Sequence, residues 1–427
     1  MQDDSQQQDT GITDSADSVT EVTYTSWWDR IKQSVIGMGF GLILVGGAIW
    51  LLFWNEGRAV QTARALSEGA GLVISVEGAK RDAANDGKLI HVSGDAKAAA
   101  PLSDAEFGMT ARGLRLVRHV EMYQWKEDRK QESRSRLGGG QETVTTYDYR
   151  RVWSKDAINA SQFRESRNHQ NPQMLYKDRA INAADVTLGG FKPGEDIISR
   201  LGEGAELAVP AALEPALRAQ RREPVQVADG KILIGDAASP RIGDYRIWYT
   251  SVPEGPVSIA ARQQGDGLAS YTATNGRTVL LVRTGVHSAV ELFDEAKQEN
   301  KLISWILRGA GALAMLMGWS LLLRPVVVLA DVVPLFGSIA GFGAGLIAGV
   351  LTLIIAPLVI AIAWFYHRPL VSLSIAAAGL AAGFGLKQWR GQTRPAVRPV
   401  PAQAAPAQAA SFIPQQQGGS FLPPRQR

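Results

Sequence analysis

The chain has 427 residues, 45% of them hydrophobic and 20% charged, with a net charge of +4 and no cysteine. That length admits two or three domains, and so much apolar and charged material together means that the two are segregated along the chain. The missing cysteine excludes disulfides, thiolate catalysis and cysteine-ligated zinc. The mild charge, with no Lys/Arg block interleaved with aromatics, argues against a nucleic-acid partner.

Residues 1–26 are rich in Gln, Asp, Ser and Thr and read as a disordered tail. Residues 27–54 open with Trp27-Trp28-Asp29-Arg30-Ile31-Lys32, an interfacial aromatic and basic cluster, and continue as Val35 to Trp54, about the 20 apolar residues that cross a bilayer. The apolar core is too long for a secretory signal and no small-x-small cleavage site follows it. The run passes without a breaker into Asn55, Glu56 and Arg58.

Residues 55–301 read as a strand-rich α+β domain with a helical stalk at each end. Alternating runs such as 113–125 and 278–283, and turn signals at Asn85-Asp86-Gly87 and Asn275-Gly276, carry that reading. The segment from Gly87 to Ala96 recurs in outline from Gly230 to Ala237, which fits either a duplicated β module or two similar strand-turn segments. The charged stretch 129–142, with Gly138-Gly139-Gly140, predicts a mobile hairpin tip.

Residues 302–386 form a membrane region with three further spans, 302–323, 339–365 and 370–386, giving four in all. Between the first two of these, the proline-broken stretch near 324–338 predicts a hydrophobic re-entrant or interfacial loop. Residues 387–427, rich in Pro, Ala and Gln, read as a second disordered tail. Basic residues flank the spans on the side of both termini: Arg30 and Lys32, Arg324, then Lys387, Arg390, Arg394 and Arg398. By the positive-inside tendency the tails are cytoplasmic and the large domain lies outside, in a bacterial periplasm or a eukaryotic lumen.

Several residue groups carry a resemblance to the LUMA (transmembrane protein 43) family. They are Asn55-Glu56-Gly57-Arg58-Ala59 directly after the first span, Val120-Glu-Met-Tyr-Gln-Trp-Lys-Glu127, Thr146-Tyr-Asp-Tyr-Arg-Arg-Val-Trp153, Asn171-Pro172, Arg308, Arg324-Pro325 and Val332-Val-Pro334. The match runs from about Ile31 to Leu386 and leaves out both tails. The resemblance implies a membrane-organising protein, placed in animals in the endoplasmic reticulum and inner nuclear membrane, with prokaryotic relatives of unassigned role. It supplies no catalytic residue to carry over.

Enzyme signatures are missing: there is no H-E-x-x-H, G-x-S-x-G, Walker loop or G-x-G-x-x-G after a strand, and no cofactor or metal site is expected. His91 and His119 sit in strand-like runs as half-buried structural residues. Tyr123, Trp125, Tyr147, Tyr149 and Trp153 alternate on either side of the hairpin, as a cross-strand aromatic ladder would. Stronger signals lie in the spans. Gly341, Gly345 and Gly349, Gly379 and Gly383, and Gly37 and Gly41 repeat the small-xxx-small spacing of close helix packing. Arg308 and Asp331 are ionisable within or beside apolar stretches. Glu56 is expected to accept from Arg308 or Lys301, and Arg58 to meet the acidic stalk that holds Glu291, Glu295 and Glu299. In the tail, Phe412 and Phe421 anchor two similar short motifs suited to an unidentified cytoplasmic partner.

These readings make a non-enzymatic membrane scaffold that contacts lipids and associates with itself or with other membrane proteins. A channel or transporter, and a membrane-tethered periplasmic enzyme, are the alternatives.

Overall fold

The computed structural model describes residues 17–77, 80–236 and 238–369. The fourth span at 370–386 with Gly379 and Gly383, and the tail motifs with Phe412 and Phe421, lie outside the described residues.

Five α-helices organise the described residues. Helix α1 (Trp27–Leu72) is capped by the Ser26 side chain, which accepts from the Asp29 N–H. Two short helices, α2 (Glu195–Ile198) and α3 (Glu214–Gln220), belong to the strand domain. Helix α4 (Ala289–Ala330) opens with a reciprocal capping box between Ser288 and Glu291, and α5 (Pro334–His367) starts on a proline at its first turn. Helices α1, α4 and α5 are each long and apolar enough to cross a membrane.

Two sequence expectations are corrected here. The stretch near 324–338 is not a re-entrant loop: α4 continues through Pro325 to Ala330, and α5 begins only three residues after it ends. Pro334 stands at the first position, where no N–H is needed, whereas Pro325 lies inside α4, which continues through it. The first tail is also shorter than expected, because Ser18–Thr25 is a strand. Its Val-Thr-Glu-Val-Thr-Tyr-Thr run is β-branched and aromatic, which outweighs its polarity.

The strand domain contains two main sheets. In the larger, the order is Ser18–Thr25, Gln141–Ser154, Arg115–Ser135, Tyr245–Val252, Lys231–Ile234, Val225–Ala228, with Ala205–Leu207 and Arg179–Asn182 added on the side. In the smaller, Gly267–Ala269, Gly255–Gln264, Leu89–Ala98 and Ile74–Val76 follow one another, joined by Leu281–Thr284 and Val186–Leu188. Leu116, Val120, Met122, Ile247 and Tyr249 of the first sheet share one core with Ile90, Val92, Val257 and Ile259 of the second. Leu89 and Ala260 point the other way, into a cluster with Ala65 and Leu66 of α1 and Leu292 and Phe293 of α4. The smaller sheet is thus buried on both faces, and the helices are bolted to one of them. The echoed segments are not a repeat: Leu89–Ala98 pairs in parallel with Ile74–Val76 in the smaller sheet, whereas Lys231–Ile234 lies between two antiparallel partners in the larger.

From Tyr123 and Trp153 outward, the hairpin Arg115–Ser135/Gln141–Ser154 leaves the core as a ribbon, with Ser18–Thr25 as its third strand. Tyr123 meets Trp153 at 5.0 Å between ring centres, and His169 stacks on Tyr149 at 3.9 Å while standing edge-on to Trp125 at 4.7 Å. Tyr123 and Trp153 thus pair across the strands, Trp125 and Tyr149 meet only through His169, which the sequence pattern did not include, and Tyr147 lies under the Arg129 guanidinium instead.

A polar clasp in the membrane helices as candidate functional site

Antiparallel α1 and α4 approach most closely where side chains are smallest. A methyl group added to Gly41 would lie 2.8 Å from the Gly318 carbonyl oxygen, and one added to Gly311 would meet Leu52 Cγ at 2.8 Å. The buried small residues recur every seven positions: Ser34, Gly41, Ala48 and Asn55 on α1, with Ser304, Gly311 and Gly318 opposite. A seven-residue period keeps one seam facing the partner helix. Gly341, Gly345 and Gly349 behave differently. Nothing lies within 4 Å of a methyl group built on Gly345 or Gly349, and only Val327 at 3.6 Å meets one on Gly341. Among the described residues Gly345 and Gly349 make no close helix contact, and α5 buries Ala348, Thr352, Ala356, Val359 and Ala363 instead.

At the domain end of this seam sits Glu56, 1% exposed. Arg308 donates to it through Nε at 2.6 Å and Nη2 at 2.8 Å, one bond to each carboxylate oxygen, and the indole N–H of Trp364 donates at 2.7 Å. One carboxylate thereby joins α1, α4 and α5. Two-point, charge-assisted bonding suits a site shielded from water, where each charge needs the other. The Arg308 guanidinium also lies over the Trp305 ring, 4.8 Å from its centre. Lys301 is exposed on the surface of α4, so it is Arg308 that reaches Glu56.

Arg58 does not meet the acidic stalk. Its guanidinium donates to Asn300 Oδ1 at 3.1 Å, to Ser304 Oγ at 3.1 Å and to Asn55 Oδ1 at 3.2 Å, because the antiparallel register sets Asn300 and Ser304 opposite it. Asn55 donates to the Ser304 carbonyl and Asn300 to the Ala59 carbonyl, so the polar layer crosses the seam in both directions. Glu295 and Glu299 pair with Arg283 of the smaller sheet instead. One residue past Glu56, Gly57 lets the His367 ring lie on the α1 backbone, and Arg64 donates to the His367 carbonyl at 2.7 Å.

A second node forms at the opposite end of α1. The Asp331 carboxylate, in the turn between α4 and α5, accepts from Arg30 at 2.5 Å and from Ser135 Oγ at 2.6 Å. Arg30 also donates to the Gly139 carbonyl at 2.6 Å, Gly138 N–H to Val332 O at 3.0 Å, and Trp27 Nε1 to Val328 O at 3.1 Å. The hairpin tip is therefore docked, not mobile. Gly337 makes room, since any side chain there would collide with Asp331. Arg324 is exposed and has no ion pair among the described residues.

The domain's own buried charges are structural in placement. Arg118 pairs with Asp104 at 2.8 Å, and the Tyr249 hydroxyl donates to the same carboxylate at 2.8 Å. The desolvated Tyr249 hydroxyl, beside that carboxylate, is pushed well above its ordinary pKa. Burial holds the His91 imidazole below its ordinary pKa, against the opposing effect of its bond to the His287 carbonyl at 3.0 Å. His119 bonds Thr250 and stacks on Trp248. Among the described residues no three His, Asp or Glu side chains are grouped to hold a metal ion.

Comparison with known proteins adds the family. The family profile described as Transmembrane protein 43 matches residues 122–369. The chain is 32% identical to human transmembrane protein 43 over 365 residues, covering 82% of this chain and 90% of the human protein. It is 30% identical to the Mus musculus protein over 375 residues, covering 85% and 92%. The Drosophila melanogaster homolog is 28% identical over 358 residues, covering 80% and 91%. No solved structure matches. Arg308, Trp364, Asp331 and the outer part of the hairpin thus lie in the matched stretch, and the chain belongs to the transmembrane protein 43 family.

Proposed function

We propose that this chain is a non-enzymatic membrane scaffold that holds its strand domain at a fixed orientation on a clasped helix bundle. The observation that carries the reading is continuity. Helices α1 and α4 run unbroken from their apolar windows into the Leu66–Phe293–Leu89 cluster, so the domain cannot swivel without bending two helices. Glu68 adds a strut: it accepts from the Thr274 N–H at 3.0 Å and the Tyr271 hydroxyl at 3.0 Å, and the Thr274 bond holds its carboxyl below the usual range. The ionisable groups Glu56 and Arg308 face each other rather than lining a path, which favours a scaffold over a channel or transporter.

In this reading both tails, on the side where basic residues flank the spans, are cytoplasmic and the strand core is extracytoplasmic: periplasmic in a bacterial inner membrane, lumenal in an endoplasmic reticulum or inner nuclear membrane. Lipids, further copies and other membrane proteins are its partners, and the tail around Phe412 and Phe421 takes a cytoplasmic one. A reporter active only outside the cytoplasm, inserted at the turn of Gly265, between exposed Gln264 and Asp266, and separately after Arg390, tests the orientation. Activity at Gly265 alone is expected; activity at Arg390 alone overturns it. Crosslinking in intact membranes, followed by mild-detergent purification, tests the scaffold. A discrete complex is expected, and recovery of lipid-bound single chains only would overturn it.

A further inference from the structure

The strand core and the ribbon tip dock at opposite ends of α1. The core meets α1 at Ala65, Leu66 and Gly69, whereas the tip meets it at Trp27 and Arg30. Between 35 and 42 helical residues separate these points, about 53–63 Å at 1.5 Å per residue, and the apolar stretch lies between them. The ribbon must therefore pass the depth of the bilayer beside the helices. Its reach fits: residues 123–135 extend about 43 Å at 3.3 Å per residue, near the roughly 40–45 Å of a bilayer with its headgroups.

Such a ribbon cannot face lipid. Both its surfaces are polar, with Glu127, Arg129 and Gln131 on one and Asp128, Lys130 and Glu132 on the other. Its two outer edges, 19–25 and 129–135, are paired with no other strand among the described residues. Unpaired strand edges are excluded from hydrocarbon. The two edges also match one another. Val19 is level with Tyr147 and that with Arg129, and Thr25 is level with Gln141 and that with Ser135, so the free edges have the same length and height and run in the same direction. Edge 19–25 carries one acid, Glu21, and no base; edge 129–135 carries Arg129, Lys130 and Arg134 against Glu132.

We propose that edge 19–25 of one copy pairs in parallel with edge 129–135 of a second copy of this chain. The contact is head-to-tail, so it repeats from copy to copy and, with a rotation that closes, makes a ring with the ribbons inside and the apolar helices outside. This deepens the scaffold reading by naming a self-association surface, and it rests on α1 crossing the membrane.

The chain has no cysteine, which makes the test clean. Thr20 and Lys130 stand level on either side of Thr146, two strand spacings apart or about 9.5 Å, beyond the 4.4–6.8 Å that a disulfide allows between Cα atoms. A disulfide in full-length T20C/K130C protein, or in the neighbouring pair T20C/E132C, must therefore join two copies. Oxidation in native membranes is expected to give a ladder of dimers and larger bands on non-reducing gels, with T20C and K130C alone giving none. Single-chain bands from both pairs overturn the proposal. Leu137, 85% exposed at the tip, supplies the second measurement. In oriented vesicles a membrane-impermeant maleimide is expected to label L137C from the side opposite to G265C. Labelling of both from one side overturns the crossing ribbon, while the side on which G265C labels still decides the orientation of the scaffold independently.

Discussion

Glycines at similar membrane depth behave in two ways in this protein. In the α1–α4 seam, Gly41, Gly311 and Gly318 leave no space for a methyl group, and the seam ends in a buried clasp of Glu56, Arg308 and Trp364. On α5, Gly345 and Gly349 face open space. Small-xxx-small spacing therefore marks where a helix can be approached, not where it is. What separates the two regions is the partner: a second helix with small residues in matching seven-residue register is present at the seam and, among the described residues, absent from that face of α5.

The sharpest way to break this comparison is to remove one side of the clasp. Glu56→Gln or Arg308→Gln leaves a buried charge without its partner, and each should cost about 3–5 kcal/mol, read as detergent-resistant unfolding. The double variant should lose less than the two single losses together. Additive losses would mean that the pair contributes nothing as a pair.

Next in size, Gly318→Leu should cost about 1–3 kcal/mol or more, since the added atoms run into Val45 and the Gly41 carbonyl. Stability equal to wild type would show that the seam is loose in the membrane.

A smaller effect comes from outside the bundle. The His91 cation is disfavoured in the folded domain, so above the ordinary value of 6.5 the imidazole is neutral in both states and has no effect on the balance. As pH falls below that value the unfolded chain takes up the proton first, and stability declines until the folded pKa is passed. His91→Gln should lower stability at pH 8, through the lost bond to His287, and flatten the decline between pH 6.5 and 5. An unchanged slope would assign the acid sensitivity elsewhere.

The smallest expected effect sharpens the comparison from the other side. Gly345→Leu should leave single-chain stability within about 0.5 kcal/mol of wild type, as at other positions without neighbours. A loss of several times that size would reveal a partner on this face of α5, and a change in detergent particle size would identify that partner as another copy.

Much of this molecule is written locally in the chain. Long apolar runs must become helices at bilayer depth, because no other open segment satisfies its own backbone there, and α1, α4 and α5 follow from that alone. The alternating runs of the domain and the hairpin at Gly138-Gly139 are equally legible, as is the need of Arg308 for an acceptor. Other features needed the tertiary structure. Trp364 joins the clasp from 308 residues away, and Arg58 turns to Asn300 and Ser304 because helix register, set by how Gly41 seats on Gly318, decides which side chains stand opposite. The seven-residue recurrence of Ser34, Gly41, Ala48 and Asn55 was the available signal for that register, hidden behind the four-residue glycine spacing. Nothing local marks Ser135 and Gly139 as partners of Asp331 and Arg30 either. A strand's length can be read from its sequence, but where its far end lands depends on the direction in which the folded core aims it, and that direction is fixed only when two sheets and two helices have packed together.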